Sequence, residues 1–495
     1  MKKKLLSVLV VLALFVSGVG GAVAGGGGDV TELVLMFMTW TGAPADTQLV
    51  QDAINAITVE KLGIAVDLQI ADVGAYPQAV QLALAGGEQV DIFTTILLNY
   101  PSLIAQGYLV DLEENGLLST CGAGIVEAVG QEFIDACRVS GTLYGLPNNR
   151  DMAQGRGCAA IATEYLEGIG YDVPYDQEIV KITLEELNDI YARLHEAYPH
   201  LEVYRPVRLS MSQFSNVDML GGSEFGVLTD YGSSLDVVNL FETDFYRAYC
   251  ERMYEYNQKG YISLDAATDT TTVTELVKAG TLMSYTTGGK PGIKQQETNM
   301  CGRPMTIFQT LDDYISSAAV ASFPWTIPIN TVDASKAMVL LNEFYTNPEL
   351  ANLLCWGIEG VHYQVLESGL IDFAPGVDPS NSGYNHSVGW QLPNQYITHV
   401  WNGNAPDLWE QIAVFNKDAQ KSKASGFSYD STNTVTELTA VQNAYDEYRY
   451  SLEYGYVDPA TGIPEMNSKL MSAGLQRIID DKQAQLNEWA QANGK

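Results

Sequence analysis

The chain has 495 residues, more than the roughly 250–300 at which one hydrophobic core stops growing, so at least two packed bodies are expected. Its formal charge of −33, from 60 acidic against 27 basic residues, repels phosphate backbones, and no clustered Lys and Arg offset it, which excludes nucleic acid as a partner. Hydrophobic residues at 46% and charged residues at 18% are ordinary globular values and exclude a chain that is disordered throughout.

In chain order, Lys2 to Lys4 precede an apolar stretch from Leu5 to Val16 and small residues ending Ala22-Val23-Ala24. This predicts a signal peptide over residues 1–24 and a glycine linker over 25–28; a retained, membrane-anchoring segment is the alternative. Val30 to Met38, rich in β-branched and apolar residues, reads as a first strand. Val50, Ile54 and Ile57 fall at helical spacing, Gly63 stops that helix, and Ile64 to Ile70 reads as the next strand. A helix through Tyr76 to Ala85, a stop at Gly86-Gly87 and a strand at Val90 to Thr94 continue the alternation. Strands separated by helices of this length predict an α/β chain with parallel strands, ligands sitting beyond their carboxyl ends. Further helices are predicted from the stripes Phe245, Tyr249, Met253, Tyr256, then Met338, Leu341, Tyr345, then Leu475, Ile478, Lys482, Leu486, Trp489. Pro147 would break a strand and marks where the chain leaves the first body.

Six cysteines show no C-x-x-C spacing, so no zinc site is expected and disulfide pairing stays open. No H-E-x-x-H or G-x-S-x-G motif is present, and Gly288-Gly289-Lys290 lacks the upstream glycine and the Ser/Thr of a phosphate loop. The acidic, threonine-rich stretch Asp265 to Glu275 lacks the ligand spacing of a helix-loop-helix calcium site. No cofactor and no metal are therefore expected.

Several segments, read together, resemble one family. Leu82 to Phe93 (LALAGGEQVDIF), Ile104 to Leu112 (IAQGYLVDL) and Gly141 to Pro147 (GTLYGLP) are similar in order to segments of extracellular solute-binding proteins of ATP-binding-cassette (ABC) importers. Val332 to Leu354 resembles a helix pair of the same family, while Trp356 to Tyr363 (WGIEGVHY) and Ala473 to Trp489 resemble a lipoprotein-like branch of its sugar- and peptide-binding members. That branch carries a lipobox cysteine before a Gly-rich linker, and Ala24 to Gly28 has none, so secretion with cell-surface association but no lipid anchor is expected.

The resemblance implies a periplasmic-binding-protein-like fold of class II type, with two discontinuous lobes joined by hinge strands. Lobe I would take residues 29–146 and 316–376, and lobe II 147–315 and 377–495. It further implies a monomer that captures a small solute, an oligosaccharide sooner than a peptide, by hinge closure and delivers it to an ABC permease in the membrane. A secreted carbohydrate-active hydrolase is the alternative. Ligand-binding candidates at strand ends of lobe I are Trp40, Thr94, Thr95 and Tyr100, with Asn148 and Arg150 from the crossing between lobes. Ser322 and Trp325 follow the return to lobe I, Tyr285, Thr287 and Lys290 come from a glycine-rich loop similar to a cleft loop of the family, and Glu359, His362 and Tyr363 complete the set. No catalytic residue is expected. Five of these candidates have a structural counterpart: Trp40 and Trp325 as core plugs, Arg150 as an inter-lobe salt-bridge partner, His362 as a histidine bonded at a helix end, Asn148 as a turn residue.

Overall fold

The structure is a computed structural model that describes residues 30–39, 43–139, 141–378, 381–386 and 388–495. The predicted signal peptide, the glycine linker and Trp40 lie outside these.

In chain order the elements that position the site begin with β1 (Thr31–Thr39), α1 (Thr47–Leu62), β2 (Ile64–Asp72), α2 (Tyr76–Gly86), β3 (Ile92–Thr94) and α3 (Tyr100–Ala105). There follow β4 (Gly145–Leu146), β5 (Gln154–Ala162), α4 (Leu184–Ala197), β6 (Glu202–Arg205), α5 (Asp244–Gln258), β7 (Leu282–Gly289) and α6 (Ile293–Cys301). The remainder contributes β8 (Met305–Gln309), β9 (Asp313–Ile315), β10 (Trp325–Thr326), α7 (Ala334–Thr346), α8 (Pro348–Trp356), β11 (Gln420–Lys421), α9 (Val435–Asp446), α10 (Pro459–Ala473) and α11 (Leu475–Ala492).

Two sheets organise these elements. The first runs β2-β1-β3-β10-β4; β1 is parallel to β2 and to β3, while β10 is antiparallel to both its neighbours. From Leu33 onward β1 is buried on both faces, as a central parallel strand must be, and β2 alternates as an edge strand does. Helix α1 buries Val50, Ile54 and Thr58 and stops where Gly63 turns left-handed at φ 66. The second sheet runs β11-β9-β5-β7-β6, with β8 also paired to β5 and the short strand Val180–Lys181 to β8. Helix α4 starts on a capping box between Thr183 and Glu186.

Each sheet has its own core. One is built from residues between Leu33 and Ala153 and between Ile315 and Cys355; the other from residues between Cys158 and Phe308 and between Ala424 and Leu486. Tyr384, Val388, Leu392 and Ala419 belong to the first core, although the sequence reading gives 377–495 to the second lobe. The stretch is held there by its own polar groups: Gln391 donates to the Met38 carbonyl at 2.6 Å and His386 to the Leu354 carbonyl at 2.9 Å. Among the described residues the chain thus crosses three times, through Pro147–Ala153, through Ser316–Pro324, and at β11. Asn416 ties the crossings together, its Oδ1 accepting from the Met152 and Ala153 amides at 2.9 Å and its Nδ2 donating to the Arg150 carbonyl at 2.7 Å.

The six cysteines are all free thiols, five of them buried. Among the described residues no helix is long and apolar enough to cross a membrane, and no group of three His, Cys, Asp or Glu is placed to hold a metal. In the acidic stretch, Asp269 pairs with Arg205 at 2.6 Å and Asp265 lies 3.7 Å from the same guanidinium.

Candidate functional site

Where the first two crossings meet the second sheet they enclose a cavity of about 380 Å³, a size ordinary for ligand sites. One wall is the first crossing and the start of β5, with Arg150, Asp151, Gln154 and Arg156; the other is the end of β7 and α6, with Thr287, Lys290 and Gln296. Tyr314 of β9, Ser316 and Ala319 close it. The glycines beside Lys290 explain its placement. A Cβ on Gly155 would lie 3.0 Å from the Gly289 Cα, and one on Gly289 3.1 Å from the Gly155 Cα, so only glycine lets β5 and β7 approach this closely. The ladder slips between Thr287 and Gly289, and such a bulge re-aims the residues that follow.

Lys290 thereby reaches Asp151, Nζ to Oδ2 at 2.8 Å. Arg150 Nη1 lies 3.9 Å from the same carboxylate, and its Nη2 donates to the Ala319 carbonyl at 3.1 Å and to Ser322 Oγ at 3.2 Å. Burial alone would raise the Asp151 carboxyl, but Lys290 and Arg150 outweigh it and hold it below the usual carboxylate range. The Arg150 guanidinium also sits 4.5 Å over the Phe323 ring, which meets Trp390 edge to face at 5.4 Å. Thr287 donates to Glu297 at 2.6 Å, and Tyr285 donates to the other oxygen of that buried carboxylate.

Arg156 is the unusual member. Its Nη1 donates to the Ser212 carbonyl at 2.9 Å, its guanidinium lies 5.7 Å from the centre of the Tyr314 ring, and its Nε is buried without a partner. Burial pulls its pKa down against the pull of Tyr314 and Asp218. Among the described residues no carboxylate lies within ion-pair distance of it, and the side-chain amides of Gln154 and Gln296 have no hydrogen-bond partner. The cavity therefore offers charged and neutral donors and amide acceptors at its surface, the mixture that orients a polyhydroxylated ligand.

Of the sequence candidates, the structure brings Arg150, Thr287 and Lys290 into this cavity, with Ser322 bonded to Arg150 and Tyr285 behind Thr287 through Glu297. It does not bring in the other candidates that it describes. Thr94, Thr95 and Trp325 are wholly buried: β10 lies between β3 and β4, so Trp325 pairs with Thr94 inside the sheet and its Nε1 donates to the Gln391 carbonyl at 2.8 Å. The threonine hydroxyls donate to the Phe323 and Pro324 carbonyls. Tyr100 is buried and donates to the Cys137 carbonyl at 3.0 Å, and Asn148 is buried against the Gln391 and Leu392 carbonyls. His362 accepts from the Ile358 amide at 2.9 Å and reaches Asp46 at 3.2 Å, binding the turn after α8 to the start of α1. Tyr363 packs beside His399, and Glu359 is exposed in the same turn. Asp151, Gln154, Arg156, Gln296 and Tyr314 escaped the sequence reading. The polar run from Asn148 to Arg156, which leads into the apolar part of β5 at Cys158–Ala162, is the available signal for three of them.

A family model described as a domain of unknown function, DUF3502, matches residues 423–491. A carbohydrate ABC transporter substrate-binding protein of Streptococcus pneumoniae serotype 4 (strain ATCC BAA-334 / TIGR4) is 26% identical over 446 residues, 88% of this chain and 86% of that one. Among solved structures, the N-glycan transport solute binding protein NgtS of S. pneumoniae superposes with a TM-score of 0.81 at 22% identity, over 94% of this chain and 100% of that one. The same protein in complex with Man1GlcNAc gives 0.71 at 21% identity, over 93% and 100%, and in complex with Man5GlcNAc 0.68 at 22% identity, over 94% and 99%. The resemblance read in the sequence thus extends along the chain, which has the two-lobed α/β fold of the extracellular solute-binding proteins and is related in sequence to a carbohydrate ABC transporter substrate-binding protein.

Proposed function

We propose that this chain is the secreted, extracytoplasmic solute-binding component of an ABC importer, working as a monomer. It captures an oligosaccharide between two lobes and presents the closed form to a membrane permease, with no chemical step. The lobes are residues 30–153 with 316–419, and 154–315 with 420–495, each keeping its own core while the crossings bend. The observation that carries this reading is the position of the polar cavity: it lies at the crossings and takes its lining from both bodies, so a ligand held there has different contacts in open and closed forms. The ligand class is supported by the relatives, since NgtS has been solved with Man1GlcNAc and Man5GlcNAc. Contact residues proposed from the candidates are Arg150, Thr287, Lys290 and Ser322, with Arg156, Gln154 and Gln296 added from the geometry; Trp40 remains a candidate from its place after β1.

Calorimetric titration with a panel of neutral oligosaccharides, paired with small-angle scattering and a reducing-end assay, tests this. Saturable binding of about one ligand per chain, a smaller radius of gyration in the complex and intact sugar are expected. Released reducing ends, or superimposable scattering curves with a bound ligand, would overturn the proposal.

A further inference from the structure

Strand β5 carries one residue more than its partner. Between the paired positions Gly155–Gly289 and Cys158–Thr287 it has Arg156 and Gly157 where β7 has Gly288 alone, the two-against-one count of a bulge. Gly157 takes φ 66, and a Cβ there would run into the Thr310 hydroxyl, so glycine is what permits the bulge. The next stretch of chain holds it from the other side: the Gly157 carbonyl accepts from the Thr310 amide at 3.1 Å and the Arg156 carbonyl from the Leu311 amide at 3.2 Å. The fold thus builds a fixed platform that sets Arg156 in the wall of the cavity at the crossings.

Among the described residues no group answers the charge placed there. Of the lining side chains Arg150, Arg156 and Lys290 are cationic and Asp151 alone is anionic, and Asp151 is already shared by Lys290 and Arg150. The Arg156 side chain makes one hydrogen bond, from Nη1 to the Ser212 carbonyl, and its Nε is buried without a partner. The carboxylates behind the lining are committed to neutral donors. Asp218 accepts from Tyr314 at 2.9 Å and from the Ser317 amide and hydroxyl at 2.8 Å; Glu297 accepts from Tyr285 and Thr287, and Asp312 from Gln420 at 2.8 Å. In a chain of charge −33, this cavity therefore carries an excess of positive charge. A guanidinium does not shed its proton, and a desolvated charge without a partner is costly, so an anion is what would complete the arrangement.

We infer that the sugar unit seated in this cavity carries an oxyanion, a carboxylate or a sulfate, which pairs with Arg156 and makes that residue the selector of acidic over neutral glycans. This rests on the oligosaccharide reading above and adds the charge of the ligand to it. The guanidinium fork presents parallel donors to two oxygens of such a group, while the Gln154 and Gln296 amides donate to and accept from hydroxyls. A neutral oligosaccharide binds through the hydroxyl contacts and lacks the pairing.

The test titrates the full chain with matched glycans: an oligogalacturonide beside its methyl ester, a sialylated oligosaccharide beside its methyl ester, and a sulfated oligosaccharide beside its unsulfated form. The first two pairs read the carboxylate and the third the sulfate. In at least one pair the acidic member is expected to bind about tenfold or more tightly than its neutral partner, and the preference should narrow as salt is raised. Arg156→Gln should reduce that ratio to under about threefold, and Arg156→Lys, which keeps the charge and loses the fork, should fall between. Thermal unfolding checks that both variants fold, and the wild-type ratios decide the matter if they do not. Ratios within about twofold in every pair of glycans that bind, or a tenfold preference unchanged in Arg156→Gln, would overturn the acidic assignment while leaving the oligosaccharide reading intact. Failure of the wild-type chain to bind any glycan, acidic or neutral, would overturn both.

Discussion

Lys290→Met removes an ammonium 2.8 Å from Asp151 while keeping most of the stem. The two side chains are 29% and 15% exposed, so the pair lies between the surface and the interior. A hydrogen bond to a charged group contributes roughly 1.5–3 kcal/mol, and breaking a fully buried pair costs roughly 3–5 kcal/mol. Partial exposure, with Arg150 still 3.9 Å from the carboxylate, puts the expected loss for Lys290→Met at about 1.5–3 kcal/mol at neutral pH. In the double variant with Asp151→Asn, the losses should fall short of their sum by about 1–2 kcal/mol, because the second substitution removes the stranded charge. The pH dependence has a definite sign. A carboxyl held low in the folded state contributes stability that is present above its unfolded value and lost as pH falls through its folded value. Lys290→Met removes part of that contribution, so the gap between wild type and variant should be full at pH 7 and shrink below about pH 4. Urea unfolding at both pH values measures it. A loss under about 0.5 kcal/mol at pH 7, or a gap unchanged in acid, would refute the assignment of Lys290 as the partner that keeps Asp151 ionised.

Burial pushes the His386 pKa down to about 4, and the ring is satisfied as a neutral tautomer, with Nε2 donating to the Leu354 carbonyl and Nδ1 accepting from the Val388 amide. Between pH 6.5 and 4 the unfolded chain binds the extra proton, so stability should fall by up to roughly 3 kcal/mol on acidification; His386→Gln should flatten that part of the melting-temperature profile, and parallel profiles would count against it. Trp325→Phe should lower stability by about 1–3 kcal/mol through its lost volume and its bond to Gln391, with ligand affinity unchanged by calorimetry; a large affinity loss would return Trp325 to the binding site. Burial also lowers the Lys482 pKa to about 7, against the pull of Glu224 and Asp218, with the Tyr429 ring 5.3 Å away. Since the unfolded lysine keeps its proton up to about pH 10.5, stability should rise between those values by up to roughly 5 kcal/mol, and Lys482→Met should abolish the rise.

The opening of the first sheet could be read from sequence because its signals are local. β-branched runs, helical spacing and the stops at Gly63 and Gly87 sit within a few residues of what they specify, and the strands come out within two residues of expectation. The α11 stripe was equally visible, Lys482 included, and that lysine is wholly buried. Strand order was not legible. That Trp325 would lie opposite Thr94 depends on a pairing across more than two hundred residues, and it turns strand-end candidates into core. The stretch 384–416 is largely turns and loops, so no periodicity announces that its Tyr384, Val388 and Leu392 return to the first core. In the cavity, the crossing and the glycine-rich loop point to Arg150, Thr287 and Lys290, whereas nothing local distinguishes Arg156 from a surface arginine.

Asn416 gives the joint between the bodies its mechanical character. Its one side chain holds the amides of Met152 and Ala153 and the carbonyl of Arg150, while Tyr396 grips that carbonyl too and Arg150 grips Ala319 in the neighbouring strand. Strips of chain fastened side by side in this way flex in unison, like leaves of one spring, and resist twisting past each other. In the closure proposed above, motion would thereby be funnelled into a single swing, and every shut molecule would offer the same outline to whatever docks with it.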